Sequence, residues 1–130
     1  MTALAYVDAS ALVKLVVDEP ESAALLRWYV EAERLVTSRI GIVETVRASS
    51  RRPHDRAQRN RVLTDLVVYE FDSAIAAVAA ALEPPAVRTL DAIHLATALA
   101  LVPDLDAFVT YDDRLAEAAL ALGLPVVRPV

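Results

Sequence analysis

Four acidic residues interrupt apolar stretches of the chain, where a carboxylate is costly unless it has a partner. Asp8 and Asp112 each end an apolar run typical of a buried strand, and Glu44 and Asp91 lie in apolar segments with helical spacing. Clustered carboxylates repel one another and need a shared proton, an arginine or a divalent cation. An all-oxygen set without cysteine or paired histidine favours Mg²⁺ or Mn²⁺, which can activate water for attack on a phosphodiester.

Each acid also has a structural interpretation. Asp8 could cap the helix that follows it, and Asp112 could cap a later one. Asp91 could be a first-turn acid that the helix dipole favours, and Glu44 could be an exposed helical residue. Taken singly these patterns indicate little, and the hypothesis of a common site depends on their conjunction.

The elements that must position these acids alternate between strands and helices, which predicts an α/β fold. We expect a single domain over residues 1–130, with a central parallel sheet of four to five short strands covered on both faces. In such a sheet Asp8 and Asp112 lie at the same edge, where open α/β sheets bind ligands. Ile40, Val43 and Val46 are predicted to face inward from the third helix. The predicted helix N-caps include Ser10, Ser38, Asp72 and Thr89.

Bulk composition excludes several classes of protein. The chain has 130 residues, no cysteine and a net charge of −5, so disulfides and thiolate metal sites are absent. No apolar run approaches the length of a membrane span, and the first residues lack a basic start, so we expect a cytoplasmic protein without membrane contact.

Arginines cluster between Arg47 and Arg61 despite the acidic net charge. Such a patch can bind a phosphate backbone, but it can equally be a solvated helical face or a contact for a protein partner. The candidate RNA or partner contacts are Arg51, Arg52, Arg56 and Arg59. Ser10 and Thr110 each lie two positions from an acid, so their hydroxyls could orient ligands or water, or simply cap and pack. His94 is predicted to be a hydrogen-bonded structural residue.

The chain resembles the PIN-domain ribonucleases, specifically the VapC toxins of VapBC toxin–antitoxin modules. The similarity covers nearly the whole chain, and the order of its motifs makes it specific. The segments that carry it are Tyr6-Val7-Asp8-Ala9-Ser10-Ala11-Leu12-Val13-Lys14-Leu15, Glu44 on the third helix, Leu90-Asp91-Ala92-Ile93-His94-Leu95-Ala96-Thr97-Ala98, and Val109-Thr110-Tyr111-Asp112-Asp113-Arg114-Leu115.

The resemblance implies a PIN-like α/β/α sandwich whose acidic pocket binds Mg²⁺ or Mn²⁺ and cleaves RNA. It places the catalytic acids at Asp8, Glu44, Asp91 and Asp112, with the metal held by Asp8, Asp91 and Asp112. It further implies a homodimer that a cognate VapB-type antitoxin inhibits. Asp113 departs from the pattern, because a non-acidic residue is commoner there.

The leading hypothesis is therefore a metal-dependent endoribonuclease acting as a toxin. The alternative is a catalytically silent PIN-like module that only binds RNA or a protein partner. A phosphoaspartate enzyme or receiver domain is disfavoured, because Ser10 stands where such a phosphatase needs a second aspartate. Receivers also use a late lysine, whereas the chain's single lysine is Lys14.

Overall fold

A computed structural model describes residues 2–130. Within that range five strands alternate with seven helices, and none of these helices has the length and apolar character needed to cross a bilayer. The strands are β1 (Leu4–Val7), β2 (Arg34–Ser38), β3 (Val67–Tyr69), β4 (Ala107–Val109) and β5 (Val126–Val127). The helices are α1 (Ala9–Val16), α2 (Ser22–Tyr29), α3 (Arg39–Ser49), α4 (Arg56–Thr64), α5 (Ser73–Ala80), α6 (Thr89–Leu99) and α7 (Asp113–Ala121).

The sheet is parallel throughout, as the alternation of elements predicts. Its strand order is β3-β2-β1-β4-β5. β1 lies at its centre, and Tyr6 is aligned with Val36 of β2 and with Phe108 of β4. Asp8 follows β1 directly, and Thr110 follows the neighbouring β4. The residues after these two strands therefore meet at one edge of the sheet.

Hydrophobic layers cover both faces of the sheet, which makes the fold an α/β/α sandwich. Ala5 and Val7 of β1 pack on one face, in a cluster with residues of α1, α2 and α4. Tyr6 points to the other face, in a cluster with residues of α6 and α7. Successive strand residues alternate between faces, so Asp8 continues the side of Tyr6.

Three local predictions were wrong. Asp8 rather than Ser10 caps α1, because its carboxylate accepts from the Ala11 N–H while Ser10 lies inside the helix. Thr89 is the first residue of α6, which has no side-chain cap. Val43 is 50% exposed. The predicted caps at Ser38 and Asp72 are confirmed.

The buried face of α3 is made of small residues instead of the expected aliphatic ones. It consists of Gly41, Thr45 and Ser49. The hydroxyls of Thr45 and Ser49 donate to backbone carbonyls one turn earlier in the same helix, which satisfies them internally. Polar residues that satisfy themselves in this way allow a helix to pack closely without burying an unpaired group.

Candidate active site

Asp8 is the most buried acid of the site, with 3% of its surface exposed. Its Oδ1 accepts from the Ser10 hydroxyl at 2.7 Å and from the Ala11 N–H at 3.0 Å. Its Oδ2 accepts from the Thr110 hydroxyl at 2.6 Å. Burial raises the pKa of this carboxyl, and nearby His94 together with the two hydroxyls counteracts only part of that rise. These hydrogen bonds therefore hold the ionised carboxylate in place, but they do not offset the full cost of burying its charge.

Two hydroxyl residues join the ends of β1 and β4. Besides donating to Asp8, the Ser10 Oγ accepts from the Tyr111 N–H at 2.8 Å. The Thr110 Oγ1 accepts from the Asp112 N–H at 3.1 Å. These bonds fix the position of the Asp112 backbone relative to the Asp8 carboxylate. Ser10 and Thr110 thus bond the Asp8 carboxylate directly, and their role in orienting ligands or water stays a prediction.

Asp112 and Asp91 approach the same edge from α7 and α6. Asp112 caps α7 through Oδ1, which accepts from the Arg114 N–H at 2.9 Å and from the Leu115 N–H at 3.1 Å. Asp91 is half-buried in the first turn of α6. Burial and the neighbouring charges of Asp112 and Glu44 raise its pKa, with His94 acting in the opposite direction. Asp91 therefore lies close enough to Asp112 and Glu44 for their charges to act on it.

Asp113, the second acid after β4, forms an ion pair with Arg128. Its carboxylate accepts from the Arg128 guanidinium at 2.6 Å, and Arg128 also donates to the Thr110 carbonyl. The Tyr111 hydroxyl donates to the Pro129 carbonyl at 2.6 Å. The C-terminal residues are thus bound to the loop that carries Asp112.

Glu44 is held by His94 of α6, and His94 is held in turn by Tyr6 of β1. The Glu44 Oε1 lies 2.6 Å from the His94 Nε2, and the His94 Nδ1 lies 2.6 Å from the Tyr6 hydroxyl. The pKa of the Tyr6 phenol is far above its ordinary range, because the group is buried and lies near the Asp8 charge. Sequence reasoning placed His94 correctly as hydrogen-bonded but did not single out Tyr6. The available signal was that Tyr6 and Asp8 share one face of a strand.

A cavity of about 660 Å³ lies beside Glu44. Ser10 and Leu90 line it, and so do two arginines of the basic segment, Arg47 and Arg51. Neither arginine forms an ion pair with any residue of 2–130. Spacings of three and seven residues from Glu44 put these arginines on the same side of α3 or just beyond its end.

The other predicted contact arginines lie outside this lining. Arg52 is paired with Glu19 at 2.7 Å, and Arg56 and Arg59 lie on α4. Asp91 lines a second cavity of about 460 Å³, together with Arg88 and Arg114. The structure therefore places Asp8 and Asp112 after adjacent strands at one edge of the sheet, and Asp91 within reach of the charges of Asp112 and Glu44. Glu44 and Asp91 open onto different cavities.

The donor set suits a divalent cation, but it is not preassembled as a ligand shell. Within residues 2–130, no three histidine or acidic side chains stand in a metal-binding arrangement. The available donors are all oxygens, which matches Mg²⁺ or Mn²⁺. Asp91 accepts no hydrogen bond within that range, and Asp112 uses only Oδ1. An ion at this edge would require these side chains to turn toward Asp8, and it would relieve the repulsion around Asp91.

Comparison with known proteins places this geometry in a family. The family model for the PIN domain matches residues 5–120. Ribonuclease VapC46 of Mycobacterium tuberculosis is 42% identical over 125 residues, covering 95% of this chain and 96% of the relative. Ribonuclease VapC35 of the same species is 46% identical over 129 residues, with the same coverage.

Solved structures show the same fold at lower sequence identity. VapC20 of Mycobacterium tuberculosis, described as a toxin that cleaves the sarcin-ricin loop, superposes with a TM-score of 0.73 and 18% identity, covering 96% of this chain and 99% of that one. FitAB bound to the IR36 DNA fragment gives a TM-score of 0.67 and 16% identity, covering 96% and 94%. Together with the family match and the curated relatives, the fold leads to one assignment. The chain belongs to the PIN-domain family and, within it, to the VapC proteins.

Proposed function

We propose that this chain is the toxin of a type II toxin–antitoxin system and acts as a Mg²⁺- or Mn²⁺-dependent endoribonuclease, folded as one PIN domain over residues 1–130. The observation that carries the proposal is the buried Asp8 carboxylate at the sheet edge, which Thr110 joins to the backbone of Asp112, whose charge in turn acts on Asp91. Burial raises the pKa of Asp8, so the protein alone leaves its charge incompletely compensated. The names of the curated VapC relatives support cleavage of RNA as the reaction.

Asp8, Asp91 and Asp112 are the residues that would hold the cation, once the Asp91 and Asp112 side chains turn toward Asp8. When bound, a divalent ion would polarise the scissile phosphate and lower the pKa of a water. The residues of the chain itself contribute by positioning the Asp8 carboxylate. Ser10 and Thr110 fix the Asp8 carboxylate through two short hydrogen bonds.

Glu44 faces the cavity where the phosphodiester would lie, so it is the group of this chain able to accept a proton from a water there. Arg47 and Arg51 line the same cavity without acidic partners and would neutralise phosphates on either side of the cleaved bond. Single-stranded RNA fits this arrangement better than a duplex, because its backbone can bend into a cavity of this size.

A comparison of Asp8→Asn with the wild type tests the proposal. Asparagine keeps the size and the capping ability of Asp8 but removes the charge, so cleavage of RNA in Mn²⁺ should be lost while the fold is kept. The assay follows defined single-stranded RNA with purified, antitoxin-free protein, with and without EDTA. Asp72→Asn is the matched control, because Asp72 caps α5 in the same way and lies outside the site.

Full activity of Asp8→Asn, or activity undiminished by EDTA, would overturn the proposal. A folded wild-type protein that cuts no RNA in Mn²⁺ would instead favour the silent binding module. Mapping of RNA ends in cells after brief induction of the active protein would then identify the target RNA.

The expected partners are a VapB-type antitoxin and a second copy of the chain. Exposed apolar side chains support protein contacts, among them Leu26 at 47% and Val30 at 69% exposed near the end of α2. Val43 adds an apolar wall to the cavity beside Glu44, where an antitoxin segment could block access. Co-purification with the antitoxin and light scattering of the free toxin measure these two associations separately.

A further inference from the structure

A hydrogen-bonded chain runs from the centre of the sheet to Glu44. It starts at the Tyr6 hydroxyl on β1, passes through both ring nitrogens of His94 on α6, and ends at Glu44 Oε1 on α3, with each bond 2.6 Å long. Tyr6 and His94 are both almost fully buried. Three elements thus converge on one carboxylate.

The chemistry of the groups fixes the direction of these bonds. An ionised carboxylate can only accept, so the His94 Nε2 carries a hydrogen and donates it to Glu44. With the hydrogen of the neutral imidazole on Nε2, the His94 Nδ1 is an acceptor, and the Tyr6 hydroxyl 2.6 Å away donates to it. A neutral imidazole with its hydrogen on Nε2 satisfies both bonds at once.

Packing leaves the imidazole little freedom. Tyr6 stacks on Phe108 with ring centroids 5.3 Å apart and meets His94 edge-on at 5.8 Å. On the other side, α3 passes so close that a Cβ on Gly41 would lie 3.3 Å from the His94 Cε1. The ring is therefore held by its neighbours as well as by its two hydrogen bonds.

We propose that His94, held by Tyr6, is a positioning residue that fixes the Glu44 carboxylate toward the cavity and acts on cleavage only through Glu44. This inference rests on the proposed ribonuclease function. Without the bond from His94, Glu44 would be repelled by the charge of Asp91 and would turn toward solvent. RNA binding by the arginines does not depend on this bond, so the effect falls on kcat and leaves KM unchanged.

Two amide substitutions separate this role from simple packing. The glutamine nitrogen in His94→Gln reaches the position of the imidazole Nε2 and can still donate to Glu44. Asparagine in His94→Asn reaches only the position of Nδ1. We expect His94→Asn and Tyr6→Phe to lower kcat by about 10–100-fold, the usual range for residues that orient a site, and His94→Gln to keep most of it. Tyr29→Phe is the matched control, because Tyr29 is a partly buried tyrosine whose hydroxyl has no partner within residues 2–130.

A spectroscopic readout keeps the inference separate from the proposed function. Long-range ¹H–¹⁵N correlation spectra of the wild type should show His94 with its hydrogen on Nε2. Tyr6→Phe should shift the Nδ1 resonance, because that nitrogen loses its hydrogen bond, and Tyr29→Phe should not. A hydrogen on Nδ1 alone, or equal kcat for folded His94→Gln and His94→Asn, would overturn the inference. If the His94 variants fail to fold, the Nδ1 resonance and the kcat of Tyr6→Phe decide. Failure of the proposed function would show instead in unchanged activity of Asp8→Asn.

Discussion

Replacing Gly41 with alanine perturbs the contact between α3 and the elements behind it. The added Cβ would lie 2.4 Å from the Thr37 Oγ1, a distance that real structures do not tolerate, and 3.3 Å from the His94 Cε1. Thr37 is fully buried, so its side chain cannot swing into solvent. Relief has to come from a shift of α3 or of the His94 ring, and both shifts move the carboxylate that Glu44 presents.

The expected cost follows from two opposing effects. Overpacking a well-filled core costs about 1–3 kcal/mol, whereas alanine is favoured over glycine inside a helix by about 1 kcal/mol. The 2.4 Å approach to the Thr37 Oγ1 puts this site in the upper half of the overpacking range, so we expect Gly41→Ala to lower the free energy of unfolding by about 1–2 kcal/mol. For a chain of 130 residues this corresponds to a decrease in Tm of about 4–8 °C. The kcat for RNA should decrease as well, because the displaced ring holds Glu44.

Urea unfolding of a double-mutant cycle with Thr37→Ala measures the contact itself. Removing the Thr37 hydroxyl gives the new methyl group room, so the double variant should recover about 1 kcal/mol relative to the sum of the single changes. Gly123→Ala is the control, since Gly123 has φ +79° and nothing within 4 Å of its added Cβ. Its cost arises in the backbone, and Thr37→Ala should not relieve it. A Gly41→Ala protein as stable and as active as the wild type would refute this reasoning.

Two further predictions concern charge. Burial raises the pKa of Asp8, so in EDTA the wild type should lose stability as pH rises through that pKa. Asp8→Asn should therefore be the more stable protein at pH 7 but not in acid. Urea unfolding of both proteins across pH measures this, and free energies of unfolding that change in parallel with pH would contradict it. Replacing Arg47 and Arg51 by serine should weaken RNA binding and reduce the salt slope by about 0.7 for each phosphate that is no longer neutralised, measured by fluorescence anisotropy. The same change at Arg56 and Arg59 should weaken RNA binding less, because these residues lie outside the cavity. An equal weakening would argue against binding of RNA in the cavity beside Glu44.

Much of the fold can be predicted from local patterns of apolar and capping residues in the sequence. The apolar runs that end at Asp8 and Thr110 define parallel strands, and Ser38 and Asp72 cap helices where their hydroxyl or carboxylate can reach a free N–H. Asp8 was identifiable from the sequence as a candidate because it directly follows a buried strand, and the structure shows that it also caps α1. These inferences need only neighbours along the chain.

The contacts around Glu44 could not be read in the same way. His94 is 50 residues from Glu44 and 88 residues from Tyr6, so only the packed sheet brings them together. Val43 was expected inside because it is apolar, but Gly41 takes that role, since only a residue without a side chain allows α3 to pass so close to His94. Tertiary packing here overrides the hydrophobic pattern.

The central place of β1 between β2 and β4 has a consequence for the cell that makes this protein. Asp8 precedes Thr110 by 102 residues, so its Oδ2 can accept from that hydroxyl only after Thr110 has been translated, and Asp112 follows two residues later. On the proposed function, a chain terminated between Asp8 and Asp112 lacks a complete site and cannot cut RNA. An antitoxin synthesised alongside can accumulate during the translation of that interval.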